Sequence, residues 1–339
     1  MLAGLARTPA TLLHGLVTIA AGALLPIGLV VAIVSFPETP WHYLTEDFAG
    51  RVVLAALLYL ASQVLRALRL AFILTDIRIS IRRLTDVHFL TEAVSLVIPY
   101  KIGDLYRVFE VGALCGHFPR ALIAVWIERA ADSMVIGIII VVALGFGRTG
   151  YEAVMPLLAL LAVFITLSLL VFLVVPQNIS RLKHFVIRRY HSKAAVRFLR
   201  FIDLIQKTLS EAPLLMEQKY MTLLFLTACV WIDESLVLCA IIPGLSRSPA
   251  LLASGLVSFL TTIATGLSAV GPLPTETFDH IAPFRHLSGA TSAGMYRMAT
   301  AVPLLLVGLV AFARYGAWRL RPPRKTNDSG QTASPGRRL

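Results

Sequence analysis

Two short stretches gather charged residues in an otherwise oily sequence. The first is Pro99-Tyr100-Lys101-Ile102-Gly103-Asp104-Leu105-Tyr106-Arg107. A proline and a glycine so close together break a helix, and Asp104 is placed to N-cap the helix leaving the bend. The free N–H groups and the dipole of that helix start attract an anion. Lys101 at the bend and Arg107 one turn in add two positive charges, so a phosphate group suits the site. The competing reading is a surface loop whose cations reach for lipid head groups. The second stretch is Glu128-Arg129-Ala130-Ala131-Asp132. Glu128 and Asp132 share a helix face, and Arg129 and Asp132, three apart, can pair. Counted from Pro119, Glu128 lies about 13 Å into its helix, where an ionisable group lines a path or gates it. Two alternatives stand beside that reading: a helix that only begins near Asp132, or an ion pair that locks this helix to its neighbour.

Weaker candidates lie elsewhere. Arg66 and Arg69 are three apart near the end of an apolar run, where snorkelling explains them. Asp233 and Glu234 fall in mid-run, where a carboxylate could take a proton or partner Arg297. Glu276, Asp279, His280 and Arg285 cluster late in the chain after Thr275, a candidate cap. His280 reads as a polar loop residue. Cys115, Cys229 and Cys239 have no metal-ligand or redox spacing and read as small apolar side chains. No cofactor is expected, and no paired nucleophile, metal set or nucleotide motif points to an enzyme. Two alternatives to transport stand: a membrane-embedded lipid-modifying enzyme with a general base at Glu128, Asp132 or Asp233, and a non-catalytic partner that organises a lipid-biosynthetic complex through the basic segment 176–219.

The elements that must position these residues follow from composition. Hydrophobic residues make up 57% of 339 and charged residues 15%. A soluble domain averages about 45–50% and about 25%. Disordered, collagen-like, coiled-coil and disulfide-stapled chains are thereby excluded, and an all-α polytopic membrane protein remains. Lys and Arg number 31 against 19 Asp and Glu, a net charge of +12. In a membrane protein that excess marks cytoplasmic loops and attraction to anionic lipid, rather than nucleic acid.

Apolar runs cover Leu12–Phe36, Val52–Leu74, Pro119–Phe146, Met155–Val175, Tyr220–Ile242 and Gly289–Ala313. Asp86–Ile98, about 20 Å as a helix, is too short for a hydrocarbon core of roughly 30 Å. With Asp104–Gly116 it predicts a re-entrant hairpin around the Pro99–Gly103 bend. Ala250–His286 predicts a second hairpin from the opposite face. Residues 176–219 mix Arg and Lys with recurring apolar side chains, as in helices lying on the inner membrane surface. The basic loops put both termini in the cytoplasm. Two halves, 12–146 and 155–313, then each cross three times in opposite senses, an inverted repeat of the kind used by transporters. Residues 1–321 form one transmembrane domain, and 322–339 read as a disordered tail.

Together, Pro99-x-Lys101-x-Gly103-Asp104-x-x-Arg107 and Glu128-Arg129-x-x-Asp132 resemble the membrane domain of the lysylphosphatidylglycerol synthase/flippase family, whose pattern is Pro-x-Arg-x-Gly-Glu-x-x-Arg followed by Glu-Arg-x-x-Asp. Residues 50–145 match in content and spacing. Pro272, Pro274 and Tyr296-Arg297 fit the later family pattern, but Thr275-Glu276-Thr277-Phe278 replaces its glycines, as in a divergent, hopanoid-associated branch. The resemblance implies translocation or handling of an anionic or polyprenyl/hopanoid-type lipid in a bacterial inner membrane. Lys101, Gly103, Asp104 and Arg107 would bind the head group. Glu128, Arg129, Asp132, Asp233, Glu276 and Arg297 would line or gate the path. Partners are membrane lipids and possible lipid-biosynthetic enzymes. Aminoacyl transfer in that family needs a soluble domain, and the residues after Ala313 are too few to supply one.

Overall fold

A computed structural model describes residues 9–34, 46–77, 79–98, 102–145, 151–189, 193–210, 219–242 and 289–320, with isolated positions between 212 and 260. Among these residues every regular element is helical. Helix α1 is Pro9–Val34, α2 Glu46–Ile73, α3 Ile81–Val97, α4 Ile102–Cys115 and α5 Phe118–Gly145. Helix α6, Tyr151–Leu169, passes through a wide π-turn at Leu170–Val174 into α7, Val175–Arg189. Helices α8, Lys193–Leu209, α9, Tyr220–Ile241, and α10, Gly289–Leu320, follow.

Five of these helices (α1, α2, α6, α9 and α10) are long and apolar enough to cross a bilayer. Six spans were expected from the apolar runs. The difference is α5, whose 28 residues reach about 42 Å but carry Glu128, Arg129 and Asp132 in mid-length. Exposed side chains such as Val53, Leu57, Val163 and Phe225 give the bundle an apolar outer surface, as lipid contact requires.

Helix α3 runs 17 residues, about 25 Å, longer than the thirteen-residue piece expected. It begins at Ile81 because the chain turns at Leu74–Ile77 and extends at Ser80. Helix α4 spans 14 residues and packs back along α3. The two approach so closely that a Cβ on Gly103 would lie 2.6 Å from the Cα of Ser95. Small residues pull the long helices onto this pair in the same way. A Cβ on Gly308 of α10 would meet that of Ala93 at 2.3 Å, and one on Gly28 of α1 would meet Val97 at 2.4 Å. Close backbone approach through small residues is how membrane helices gain packing energy without a hydrophobic driving force.

Helix α3 is thus enclosed by α1, α2, α4 and α10, while α5 lies against α2, α4, α6, α8 and α9. The basic ends of several helices meet on one side. Lys219 before α9 reaches Asp76 after α2 at 3.0 Å, and Arg314 near the end of α10 reaches Asp86 of α3 at 3.3 Å. Helices α7 and α8 pack together, with Lys183 paired to Asp203. Leu182, Phe185, Ile187 and Val196 remain exposed on them. Apart from a few isolated positions the second expected hairpin, Ala250–His286, lies outside the described residues, as does the tail 322–339.

Candidate functional site

The polar residues of the apolar bundle converge on α5. One helical turn sets Glu128 and Asp132 on a common face, both buried. Across from them α2 presents Arg69, 1% exposed, whose aliphatic stem runs between packed helices. Its Nη1 and Nη2 donate to the two carboxylate oxygens of Asp132 at 2.6 and 3.1 Å. This is the two-pronged geometry that a guanidinium offers and an ammonium cannot. Its Nε donates to Glu128 Oε1 at 3.3 Å, and Nη1 also reaches Thr227 Oγ1 at 3.1 Å. Trp231 Nε1 of α9 donates to Asp132 Oδ1 at 3.3 Å.

The network extends in two directions. Arg107 of α4, also buried, donates through Nη2 to Glu128 Oε2 at 2.8 Å and through Nη1 to Glu92 Oε1 of α3 at 2.6 Å. Arg66 of α2 donates to Glu234 Oε1 of α9 at 3.2 Å, alongside Ser62 Oγ at 2.8 Å. The Arg66 guanidinium lies 5.8 Å over the Trp231 ring. Arg129 turns to α4: its Nε donates to Asp104 Oδ2 at 3.1 Å, its Nη2 to Oδ1, and Nη1 lies 3.7 Å from Asp132 Oδ2. Four arginines (66, 69, 107 and 129) thus face five carboxylates (92, 104, 128, 132 and 234) across α2, α3, α4, α5 and α9. Each charge has a partner because an isolated one in a low-dielectric interior would cost several kcal/mol.

The pairs differ in access. Arg69, Arg107 and Glu128 are almost wholly enclosed, whereas the side chains of Arg129 and Asp104 are 32% and 24% exposed. That partly open pair sits at the first turn of α4. A few buried polar atoms nearby have no hydrogen-bond partner among the described residues: Arg107 Nε, Arg66 Nε, Gln63 Oε1 and both ring nitrogens of His88. A separate polar contact ties α1, α4 and α10, where Thr18 Oγ1 and Tyr315 OH donate to Glu110 at 2.7 and 2.6 Å.

Several expectations change against this geometry. Arg66 and Arg69 do not snorkel; they point into the bundle, because α5 and α9 supply carboxylates there. Asp104 is not an N-cap. Helix α4 already begins at Ile102, and the Asp104 carboxylate holds Arg129 instead. Helix α5 does not begin near Asp132, since it starts at Phe118 and buries Glu128. The i, i+3 pairing of Arg129 with Asp132 is present. Arg107 lies where the charge pattern drew attention, but faces Glu92 and Glu128. Gly103 is the point of closest approach to α3. Asp233 is buried on α9, its Oδ2 without a partner among the described residues, and Glu234 next to it takes Arg66. Lys101 and Glu276 lie outside the described residues, as does the side chain of Arg297 on α10.

Glu92 was missed because one acid in the otherwise apolar run 87–98 looks like a surface residue. Arg69 was discounted because its position near a run end fits the interface equally well. A clue was available: Ser62, Gln63, Arg66 and Arg69 put polar groups on adjacent turns of one apolar helix.

No curated protein and no solved structure matches the chain. The family model for the lysylphosphatidylglycerol synthase TM region matches residues 12–270, a stretch that contains the whole Arg–carboxylate network. This chain therefore belongs to the lysylphosphatidylglycerol synthase TM family, as a helical, multi-pass membrane protein related to lipid.

Proposed function

We propose that this protein is a flippase-like lipid transporter of a bacterial inner membrane, moving an anionic or polyprenyl/hopanoid-type lipid through the bend between α3 and α4. The observation that carries this reading is the Arg129–Asp104 pair, the partly open end of an otherwise enclosed ionic network. A lipid phosphate competes with the Asp104 carboxylate for the Arg129 fork, since a guanidinium binds either anion through two parallel hydrogen bonds. The exchange swaps one anion for another at Arg129 and releases the partly exposed Asp104 carboxylate to water. Lys101, two residues before Gly-Asp, adds a second cation to that anion. Arg107 stays tied to Glu92 and Glu128 and holds both arms of the hairpin to α5. Glu128, Asp132, Asp233, Glu276 and Arg297 line or gate the path.

Helices α3 and α4 reach about 25 and 21 Å, which supports a hairpin that enters and leaves by one face. Arg82, Arg83, Lys219 and Arg314 gather on the side where α3 begins, which supports a cytoplasmic position for that side. Helices of opposed sense in two halves then form the inverted repeat of a transporter.

The test is transfer of labelled lipids in liposomes holding the purified chain. Wild type should move phosphate-bearing lipids faster than empty vesicles, and Arg129→Lys should lose most of that rate because an ammonium cannot hold phosphate bidentately. Transfer equal to empty vesicles over a broad lipid panel would end the transporter reading.

A further inference from the structure

We propose that Asp233, buried within α9, is a proton-binding site, and that the proton it takes up and releases powers the lipid movement proposed above. Asp233 is 9% exposed and lies about 20 Å along α9 from Tyr220, with about 12 Å left to Ile241. What singles it out is comparison with the other acids of the bundle. Glu92 and Glu128 hold Arg107, Asp132 holds Arg69, Asp104 holds Arg129, and Glu234 holds Arg66. Glu110, at its separate junction, accepts from the hydroxyls of Thr18 and Tyr315. Asp233 has no ion pair among the described residues, and its Oδ2 accepts no hydrogen bond there.

The charge balance says what it must bind. The four network arginines already face five carboxylates, one negative charge in excess before Asp233 is counted. An ionised Asp233 would add another directly beside Glu234. An uncompensated buried charge costs several kcal/mol, and a carboxylate escapes that cost by taking a proton. The surrounding helices α2, α5 and α10 offer no other cation. Their ionisable residues inside the bundle are Tyr59, Arg66 and Arg69, then Glu128 and Asp132, then Tyr296, and none of these pairs with Asp233 among the described residues. The side chain of Arg297 lies outside them. Glu234 is the one charge that acts on Asp233. A hard metal cation takes about six oxygen ligands, whereas a proton needs one. No group of three His, Cys, Asp or Glu side chains gathers among the described residues.

A line of contacts leads from Asp233 to the open end of the network. Glu234 accepts from Ser62 at 2.8 Å and from Arg66 at 3.2 Å. The Arg66 guanidinium stacks 5.8 Å over Trp231, whose Nε1 donates to Asp132 at 3.3 Å. Asp132 lies 3.7 Å from Arg129, the partner of Asp104. Release of the proton sets two neighbouring carboxylates in competition for Arg66, which loosens its hold on Glu234 and its stack on Trp231. Uptake restores both. The proton comes from water and returns to water, so the step needs no other reactant. Its coupling to lipid movement rests on the proposed function; the proton site itself does not.

Two measurements on the full chain test this. In nanodiscs, the infrared carboxylic-acid band should grow when a neutral medium is acidified by about one pH unit, a tenfold proton ratio. The part due to Asp233 should vanish in Asp233→Asn, which strands no partner, and move in Asp233→Glu, which keeps a carboxyl. A band that Asp233→Asn leaves unchanged overturns the inference. In liposomes at zero membrane voltage, a gradient of about one pH unit should skew labelled phosphatidylglycerol between the leaflets by up to about tenfold for one proton per lipid. Asp233→Asn should abolish the skew and Asp233→Glu should restore part of it. A skew that survives Asp233→Asn, a skew that follows a sodium gradient instead, or transfer with no skew overturns the inference. A chain that shows the Asp233 band but moves no lipid keeps the proton site and fails the transporter reading.

Discussion

Arg69 shows how one residue holds several elements. Its guanidinium joins α2 to α5 through Asp132 and Glu128 and to α9 through Thr227, with almost no exposure. Removing one partner of a buried pair strands the other, at a cost of roughly 3–5 kcal/mol. Asp132→Asn and Arg69→Leu should each lower the thermal stability of the purified protein sharply, read by loss of monodisperse protein after heating. The double change, which leaves no bare charge, should restore part of it. Arg129 behaves otherwise. It is partly open, so Arg129→Lys should leave stability within about 1 kcal/mol, as exposed pairs do. A matched loss of stability and transfer in that variant would assign the pair a structural role only.

At the scale of elements, the short helices α3 and α4 are positioned by glycine. Gly308 admits Ala93 and Gly28 admits Val97, so α10 and α1 grip α3 on two sides. A larger side chain must displace a helix, and overpacking of this kind typically costs about 1–3 kcal/mol. Gly308→Leu should destabilise the protein by about that amount, while Gly137→Leu, whose Cβ would meet no atom within 4 Å, should not. Equal thermal shifts for the two would show that close packing at α3 is not what the glycines supply. The Gly103 contact is stricter still, because the obstructing atom is Ser95 backbone and cannot rotate away. Gly103→Ala should therefore move the start of α4 and, with it, Asp104. Loss of lipid transfer at unchanged expression is the expected readout.

For the whole molecule, the arrangement of charge supports the proposed orientation. The ends that carry Arg82, Arg83, Lys219 and Arg314 come together on one side, and Gly50 near the start of α2 is a helix length away. In a variant whose Cys115, Cys229 and Cys239 are replaced, Ser80→Cys should react with an impermeant thiol reagent only after the membrane is opened. Gly50→Cys should react in intact cells. The opposite pattern would invert the proposed orientation.

The sequence by itself determined the helices, the bend and the presence of intramembrane charge. Apolar runs of membrane length have one way to satisfy their backbone, so α1, α2, α6, α9 and α10 were legible from composition. The Pro-Gly spacing located the break between α3 and α4, and Glu128 to Asp132 declared a charged face at mid-helix. Family membership was legible too, because its motifs are local. Tertiary structure decided who partners whom. Residues 66, 69, 92, 107, 128, 132 and 234 are strewn over much of the chain, and a carboxylate on one helix reads the same whichever arginine faces it. Only helix packing brings Arg69 to Asp132, and only then does a residue that would reach for the surface gain more by turning inward. An ion pair is a property of distance in space, and the sequence lists distances along the chain.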